Sequence, residues 1–260
     1  MSEFLIETHN LSAGYEEEPV IKEIDIKVKH PSFLAIIGPN GAGKSTLMKT
    51  MIGLTKVFDG TIRVLGYDPT KEPDKIRKLI GYVPQRDKIS TNMPIRVKDV
   101  VLLGRLARKG FLSLASKKDI KKVKESLEKV NLLHLYNKRF STLSIGQQQR
   151  VLIARALALS PKVLLLDEPL SAVDAPTQKT IIDLLHNLVK EGISVVMVTH
   201  DINPLSECTD RIILLNKKMY AFGTITDVLN EEVMEAAYGV PVPIIVKKDR
   251  CYAIIGDAHA

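Results

Sequence analysis

Nine consecutive residues, Gly38-Pro39-Asn40-Gly41-Ala42-Gly43-Lys44-Ser45-Thr46, carry the most specific chemistry in this 260-residue chain. Their spacing, G-x-x-x-x-G-K-[ST], is that of a loop that holds phosphates. Glycines let the backbone wrap closely, and unpaired N–H groups at the following helix start point at an anion. Lys44 is placed to reach the β- and γ-phosphates of a nucleotide. The Ser45 hydroxyl is placed to take one position on Mg²⁺, an ion that keeps several waters and binds few protein groups. A glycine-rich turn that merely precedes a helix is the simpler alternative. It is disfavoured by context, since the apolar run Phe33 to Ile37 comes directly before the loop and a helix pattern follows.

Further along, Val163-Leu164-Leu165-Leu166 runs into Asp167-Glu168-Pro169. A buried aliphatic strand that ends in two acids delivers carboxylates to the edge where open α/β sheets bind ligands. Asp167 is expected to hold Mg²⁺ through its water shell, and Glu168 to contact the water that attacks the γ-phosphate. Two solvated acids at a strand end would be the plain reading if the phosphate loop were absent. Ser194 to Val198 is another such strand, followed by Thr199 and His200. A lone histidine there is usually structural, but this one ends in the same plane as Glu168 and Gln85. Gln85 itself closes Ile80-Gly81-Tyr82-Val83-Pro84, a strand with a proline break, and alone says little. Tyr15, in the turn Leu11 to Tyr15, is either a surface tyrosine or a platform on which adenine stacks. Ser144, a natural N-cap, and Gly146 open a helix that forms a second anion-seeking site without a lysine.

These residues need an alternating frame. Residues 3 to 9 and 20 to 28 read as an antiparallel pair, 61 to 65 as another strand, and 211 to 216 and 219 to 222 as two more. A helix from the phosphate loop to Gly53, a short one around Ile76 and a long one from Thr177 to Lys190 lie between strands. From about Arg86 to Leu159 the pattern turns helical, with Val97 to Arg108 and Lys117 to Val130 joined by Lys109-Gly110-Phe111. We read this as an inserted helical lobe. Short helices reach Tyr238, and the tail adds a strand at Ile244 to Val246 with a weak partner at Tyr252 to Ile255.

Composition bounds the rest. Hydrophobic content is 45% and charged content 26%, ordinary for a globular chain. No apolar run approaches the roughly 18 residues that span a bilayer, and MSEFLIETHN has acid where a secretion leader needs base. Cys208 and Cys251 have no metal-ligand spacing, which fits a reducing compartment. The net charge of +7 raises nucleic acid or an anionic surface as partners. The one lysine cluster, Lys117 to Lys124, falls opposite the stripe Ile120, Val123, Leu127, Val130 and reads as a solvated helix face, so no nucleic acid is expected.

In order, Tyr15, GPNGAGKST, Gln85, LSIGQ (Leu143 to Gln147), VLLLDEP with SAVD (Ser171 to Asp174) and His200 resemble the nucleotide-binding subunit of an ATP-binding-cassette (ABC) transporter over about residues 3 to 240. The resemblance implies an α/β fold: a P-loop NTPase (RecA-like) core with an antiparallel β subdomain, residues 1–85 and 160–222, and an inserted α-helical lobe, 86–159. Residues 223–260 would be a C-terminal extension of the 1–240 ATPase domain. It implies ATP and Mg²⁺ as ligands, the loop from Gly38 to Thr46 on the phosphates, and Ser45, Gln85 and Asp167 on the metal. Glu168, His200 and Gln85 are then the catalytic set. A second copy would pair head to tail, bringing Ser144, Gly146 and Gln147 onto the γ-phosphate and Asp174 across the interface. Membrane permease subunits would dock on the lobe and the Gln85 loop, with an extracytoplasmic binding protein beyond, placing the chain peripherally on the cytoplasmic membrane face. The chain departs from the family at Ile145, where glycine is usual; a β-branched residue there fits ordinary helical backbone and not positive φ. The runs Tyr82 to Arg105, VDAPTQ, and Val198 onward resemble zinc and manganese importers, with iron-chelate or cobalamin importers and a soluble iron–sulfur-assembly ATPase as alternatives.

Overall fold

The computed structural model describes residues 3–85, 94–106, 114–205, 208–247 and 250–253. The chain opens with β1 (Phe4–Tyr15), β2 (Glu18–Ile24), β3 (Lys27–Lys29) and β4 (Phe33–Ile37), and then α1 (Lys44–Thr50). It continues through β5 (Lys56–Val64), α2 (Pro73–Arg77), β6 (Ile80–Val83), α3 (Val97–Leu106), α4 (Lys117–Lys129) and α5 (Ile145–Leu157). β7 (Val163–Asp167), α6 (Ala175–Lys190), β8 (Ser194–Val198), β9 (Arg211–Asn216) and β10 (Lys218–Gly223) follow. α7 (Ile225–Val228), α8 (Glu231–Tyr238), β11 (Ile244–Lys247) and β12 (Arg250–Ala253) complete it.

β9, β4, β8, β7 and β6 run parallel in that order, so the phosphate loop and both acid- and histidine-bearing ends leave one edge together. β4, β7 and β8 are buried along their whole length, which is why their sequences are unbroken aliphatic runs. Their side chains still alternate. Phe33, Ala35 and Ile37 join the hydrophobic cluster that includes α5 and α6, whereas Leu34 and Ile36 join the one built on α1 and the antiparallel strands. One sheet therefore serves two cores, and each fully buried aliphatic side chain contributes on the order of 1.5–3 kcal/mol. The expected α/β architecture, with its phosphate-loop core, antiparallel β subdomain and helical lobe, is what the chain forms.

The antiparallel part differs in detail from the sequence reading. β1 does not stop at His9 but continues to Tyr15, pairing with β5 along one edge and with β3 and then β2 along the other. A bulge makes this possible. Asn10 turns to φ 45, its N–H donates to Asp25 Oδ1 at 2.8 Å, and the Thr8 hydroxyl donates to Ile24 O at 2.7 Å. The same contacts break the expected single strand 20–28 at Asp25 and Ile26. Likewise β5 begins at Lys56, not Thr61.

In the lobe, Ser116 and Asp119 close a capping box at the start of α4, and the fully buried Asp119 carboxylate also accepts from Arg105 Nε at 2.9 Å. Of the expected stripe, Val123, Leu127 and Val130 are buried and Ile120 is half-buried, and the lysines opposite them are largely exposed. The expected loop Lys109 to Phe111, and Ile254 and Ile255, lie outside the described residues. Beyond residue 223, Val228, Leu229, Met234, Ala237, Val242 and Ala253 all belong to the larger core cluster.

α3 meets α5 at Gly104, where an added Cβ would lie 2.1 Å from the Arg155 carbonyl oxygen. Backbone cannot yield as a side chain does. Gly104→Ala should push the two helices apart and cost about 1–3 kcal/mol, lowering the thermal midpoint by several degrees, while Lys121→Ala on the exposed face of α4 leaves it unchanged.

Candidate functional site

β4 hands the chain to a loop that folds back on itself. Gly43 takes φ 92 as the N-cap of α1, a conformation that costs a side-chain-bearing residue heavily, and an added Cβ there would meet Ile21 at 2.4 Å. Lys44 follows at 7% exposure, donating from Nζ to the carbonyls of Gly38 at 2.7 Å and Pro39 at 2.9 Å. An ammonium has three protons, so one is left for a further acceptor. Burial lowers the Lys44 pKa, and the nearby carboxylates of Glu168 and Asp167 oppose that shift.

Asp167, 1% exposed at the end of β7, accepts from the Ser45 hydroxyl at 3.1 Å. Glu168 comes next with φ 49. A non-glycine residue is uncommon there and marks local strain. Its backbone is held on both sides: its N–H donates to Val198 O at 3.0 Å, and its carbonyl accepts from Ser171 Oγ at 2.9 Å. This turn aims the carboxylate away from the strand line and toward His200, whose Nδ1 lies 2.8 Å from Glu168 Oε2. Burial raises the Glu168 pKa, with His200 and then Lys44 pulling the other way.

These groups line one cavity of about 330 Å³, walled by Asn40 to Thr46, Tyr15 and Val20, Gln85, and Asp167, Glu168 and Val198. Tyr15 sits at its edge as the last residue of β1, 41% exposed, with Lys49 Nζ 5.3 Å from the ring centre. It is thus a strand end and not part of a turn, with an open aromatic face available for stacking. Gly38 and Pro39 enter through their hold on Lys44. Ser144, Gly146, Gln147 and Asp174 line no part of this cavity. Ser144 caps α5 in a capping box with Gln147, and Asp174 is the exposed N-cap of α6. Ile145, 38% exposed, is the first residue of α5 and keeps a negative φ, so the helix start accommodates it without strain.

Sequence reasoning missed Tyr82. Its phenol pKa is pushed up to about 12, first by burial and then by the adjacent Asp167, with which it hydrogen-bonds. Tyr82 pairs in register with Leu165, two residues before Asp167, so both side chains leave the same face of the sheet. Only that register would have revealed it.

The arrangement suits a polyphosphate. A buried ammonium and loop amides meet the anion, three oxygen-bearing side chains stand beside it, and a strained carboxylate faces it with a histidine attached. The chain matches the family model described as ABC transporter over residues 21–171. It is 38% identical over 250 residues to the manganese transport system ATP-binding protein MntB of Halalkalibacterium halodurans, covering 96% of this chain and 98% of that one. It is 36% identical over 236 residues to the zinc transport system ATP-binding protein TroB of Treponema pallidum, covering 91% and 87%. Among solved structures it resembles a dimeric post-hydrolysis state of the ATP-binding cassette MJ0796 bound to ADP and Pi. There the TM-score is 0.72 at 30% identity, over 85% of this chain and 98% of that one.

The raised Glu168 pKa has a consequence for stability. The fold prefers the protonated carboxyl, so that preference stabilises fully below the ordinary value of 4.5 and is lost as pH rises above it. Glutamine does not titrate. Glu168→Gln should therefore melt higher than the wild type at neutral pH, with the gap closing as pH falls toward the ordinary carboxylate range. Melting curves across pH check the sign.

Proposed function

The chain belongs to the ABC transporter family, and from that membership we propose that it is the ATP-hydrolysing subunit of an importer for a divalent metal ion, manganese or zinc. The observation that carries the hydrolytic part is the meeting of Lys44, Ser45, Asp167 and Glu168 around one cavity, with His200 joined to it through Glu168. The names of relatives that align along nearly the whole chain support the metal.

In this reading adenine stacks on Tyr15, and the Gly38 to Thr46 loop wraps the phosphates with Asn40, Ala42 and Gly43 contributing backbone. Lys44 turns its remaining proton to the β- and γ-phosphates. The donor set fits Mg²⁺. The Ser45 hydroxyl, the Asp167 carboxylate 3.1 Å from it and the Gln85 side chain on the same cavity are hard oxygen donors, few in number, as that ion prefers. Ser45, Gln85 and Asp167 would hold it, and once bound it neutralises charge on the transferring phosphate. Glu168 accepts a hydrogen bond from the attacking water and draws its proton. His200 steadies Glu168 and donates toward the γ-phosphate.

Ser144, Gly146, Gln147 and Asp174 act in trans: a second copy, packed head to tail, places them over the nucleotide. The dimeric state of the similar cassette bound to ADP and Pi supports the pairing of two copies. Among the described residues no helix is long and apolar enough to cross a membrane. In this reading the translocation path is formed by separate permease subunits. We assign their docking site to a groove of about 310 Å³ between the core and the lobe, where Ile52, Leu103 and Leu159 meet Arg77 and Arg155. The chain then works at the cytoplasmic membrane face.

Glu168→Gln keeps shape and removes the proton acceptor, so hydrolysis should fall by about 10²–10⁴-fold. Nucleotide binding should persist, because Lys44 and the loop are untouched, and a closed dimer should accumulate with Mg²⁺-ATP in size-exclusion chromatography. Wild-type turnover in this variant removes Glu168 from the base role, and lost hydrolysis without a dimer overturns the head-to-tail geometry. Deleting the gene should impair growth in manganese- or zinc-depleted medium, with rescue by the metal. Normal growth there and failure on an iron chelate would replace the substrate.

A further inference from the structure

His200 is the exposed tip of a turn tied on both sides. The Thr199 hydroxyl donates to Asp201 O at 3.0 Å, the Asp201 N–H donates back to Thr199 Oγ1 at 3.1 Å, and the Asp201 carboxylate accepts from the Asn203 N–H at 3.0 Å. The turn ends in Asn203, first residue of the short 3-10 helix Asn203–Leu205. The Asn203 side chain does not face the nucleotide cavity. It reaches 50 residues along the chain, donating from Nδ2 to Ala253 O at 3.0 Å and accepting the Ala253 N–H on Oδ1 at 2.9 Å.

An amide that uses both its ends on one residue's backbone imitates the exchange between paired strands. It is indifferent to the side chain opposite and demands only that this residue be fixed. Ala253 is fixed. It is 1% exposed, belongs to the larger core, and is paired with Ile244 in the β11–β12 hairpin. Both bonds are partly buried, so neither group exchanges freely with water, and losing one partner leaves the other unsatisfied.

We propose that Asn203 is a positioning residue for ATP hydrolysis, through which the C-terminal hairpin fixes the turn that carries His200. The inference rests on the reading of His200 as a γ-phosphate contact. The turn is held from the core side by β8 and from the far side by Ala253. Releasing the second hold lets His200 move against Glu168, 2.8 Å away, and alters the alignment of the attacking water. Lys44, Ser45 and Tyr15 stand on other elements, so nucleotide affinity stays.

The test uses the full chain with three changes: Asn203→Ala, truncation after Pro243, and the two combined. Each single lesion should lower kcat by about 10- to 100-fold, with KM for ATP within about twofold of wild type. The combination should be no worse than the more damaging single change, since both break one linkage. Ala253→Gly keeps both backbone groups and should retain wild-type kcat. Losses that multiply in the combined variant, a KM that rises while kcat holds, or wild-type kcat in Asn203→Ala would each overturn the proposal. If truncation prevents folding, Asn203→Ala set against Ala253→Gly decides alone. A wild-type chain that turns over no ATP would overturn the hydrolytic reading and this inference with it, whereas normal wild-type turnover with unaffected variants overturns this inference only.

Discussion

Lys44 carries an ammonium group at 7% exposure, and a charge held that far from water destabilises a fold unless partners answer it. Two loop carbonyls answer by hydrogen bond, and Asp167 and Glu168 answer by charge. Those carboxylates are themselves withdrawn from water and need support. Asp167 draws it from Ser45 and Tyr82, Glu168 from His200. Each member of this set thus leans on the next. β4, β7 and β8 must therefore end in one plane and in one register, which parallel pairing with all three strands buried supplies. A triphosphate entering the cavity would join the loop carbonyls as a partner of Lys44 through its remaining proton, so the groups that balance the charge are also those that would sense the nucleotide.

Much of this could be read from residue types. GPNGAGKST specifies its own surroundings, because a strand, a tight loop and a helix start are the only context in which those residues make sense together. VLLLD and SVVMV are short, unbroken and aliphatic, which marks strands covered on both faces. What was not legible depends on pairing between distant segments. Tyr82 reads as an ordinary strand residue until β6 is set in register beside β7. The length of β1 depends on a bulge whose anchor, Asp25, is 15 residues away from Asn10. The clamp between Asn203 and Ala253 spans 50 residues, and an asparagine after a histidine gives no sign of it. The turn at Glu168 is a further case, since a positive φ on a glutamate is fixed by Val198 and Ser171 and not by its own preference.

The substitution at Ile145 shows what the helix start requires and what it does not. Neither Ile145 nor Gly146 has positive φ, so the glycines usual in that segment are not demanded by backbone conformation here. Gly146 is needed for a different reason: an added Cβ would meet the Thr177 methyl at 2.4 Å. Thr177 lies in the first turn of α6, directly after Asp174. The two segments expected to face a second subunit are thus packed against one another through a missing side chain, while Ile145 points outward where bulk is tolerated.

The start of α5 arranges its own donors. Four N–H groups at a helix start lack partners within the helix. Ser144 Oγ accepts the N–H of Gln147 at 3.3 Å, and the Gln147 side chain accepts the N–H of Ser144 at 3.1 Å. The capping box uses only acceptor positions on the Ser144 and Gln147 side chains, so the Ser144 O–H and the Gln147 amide protons remain as donors beside the N–H groups of Ile145 and Gly146 at the helix start. A phosphate arriving from a partner subunit would meet those donors together, with the Ser144 O–H turning to it while Ser144 Oγ still accepts from Gln147. The close approach of Gly146 to Thr177 sets these donors beside the first turn of α6, next to Asp174.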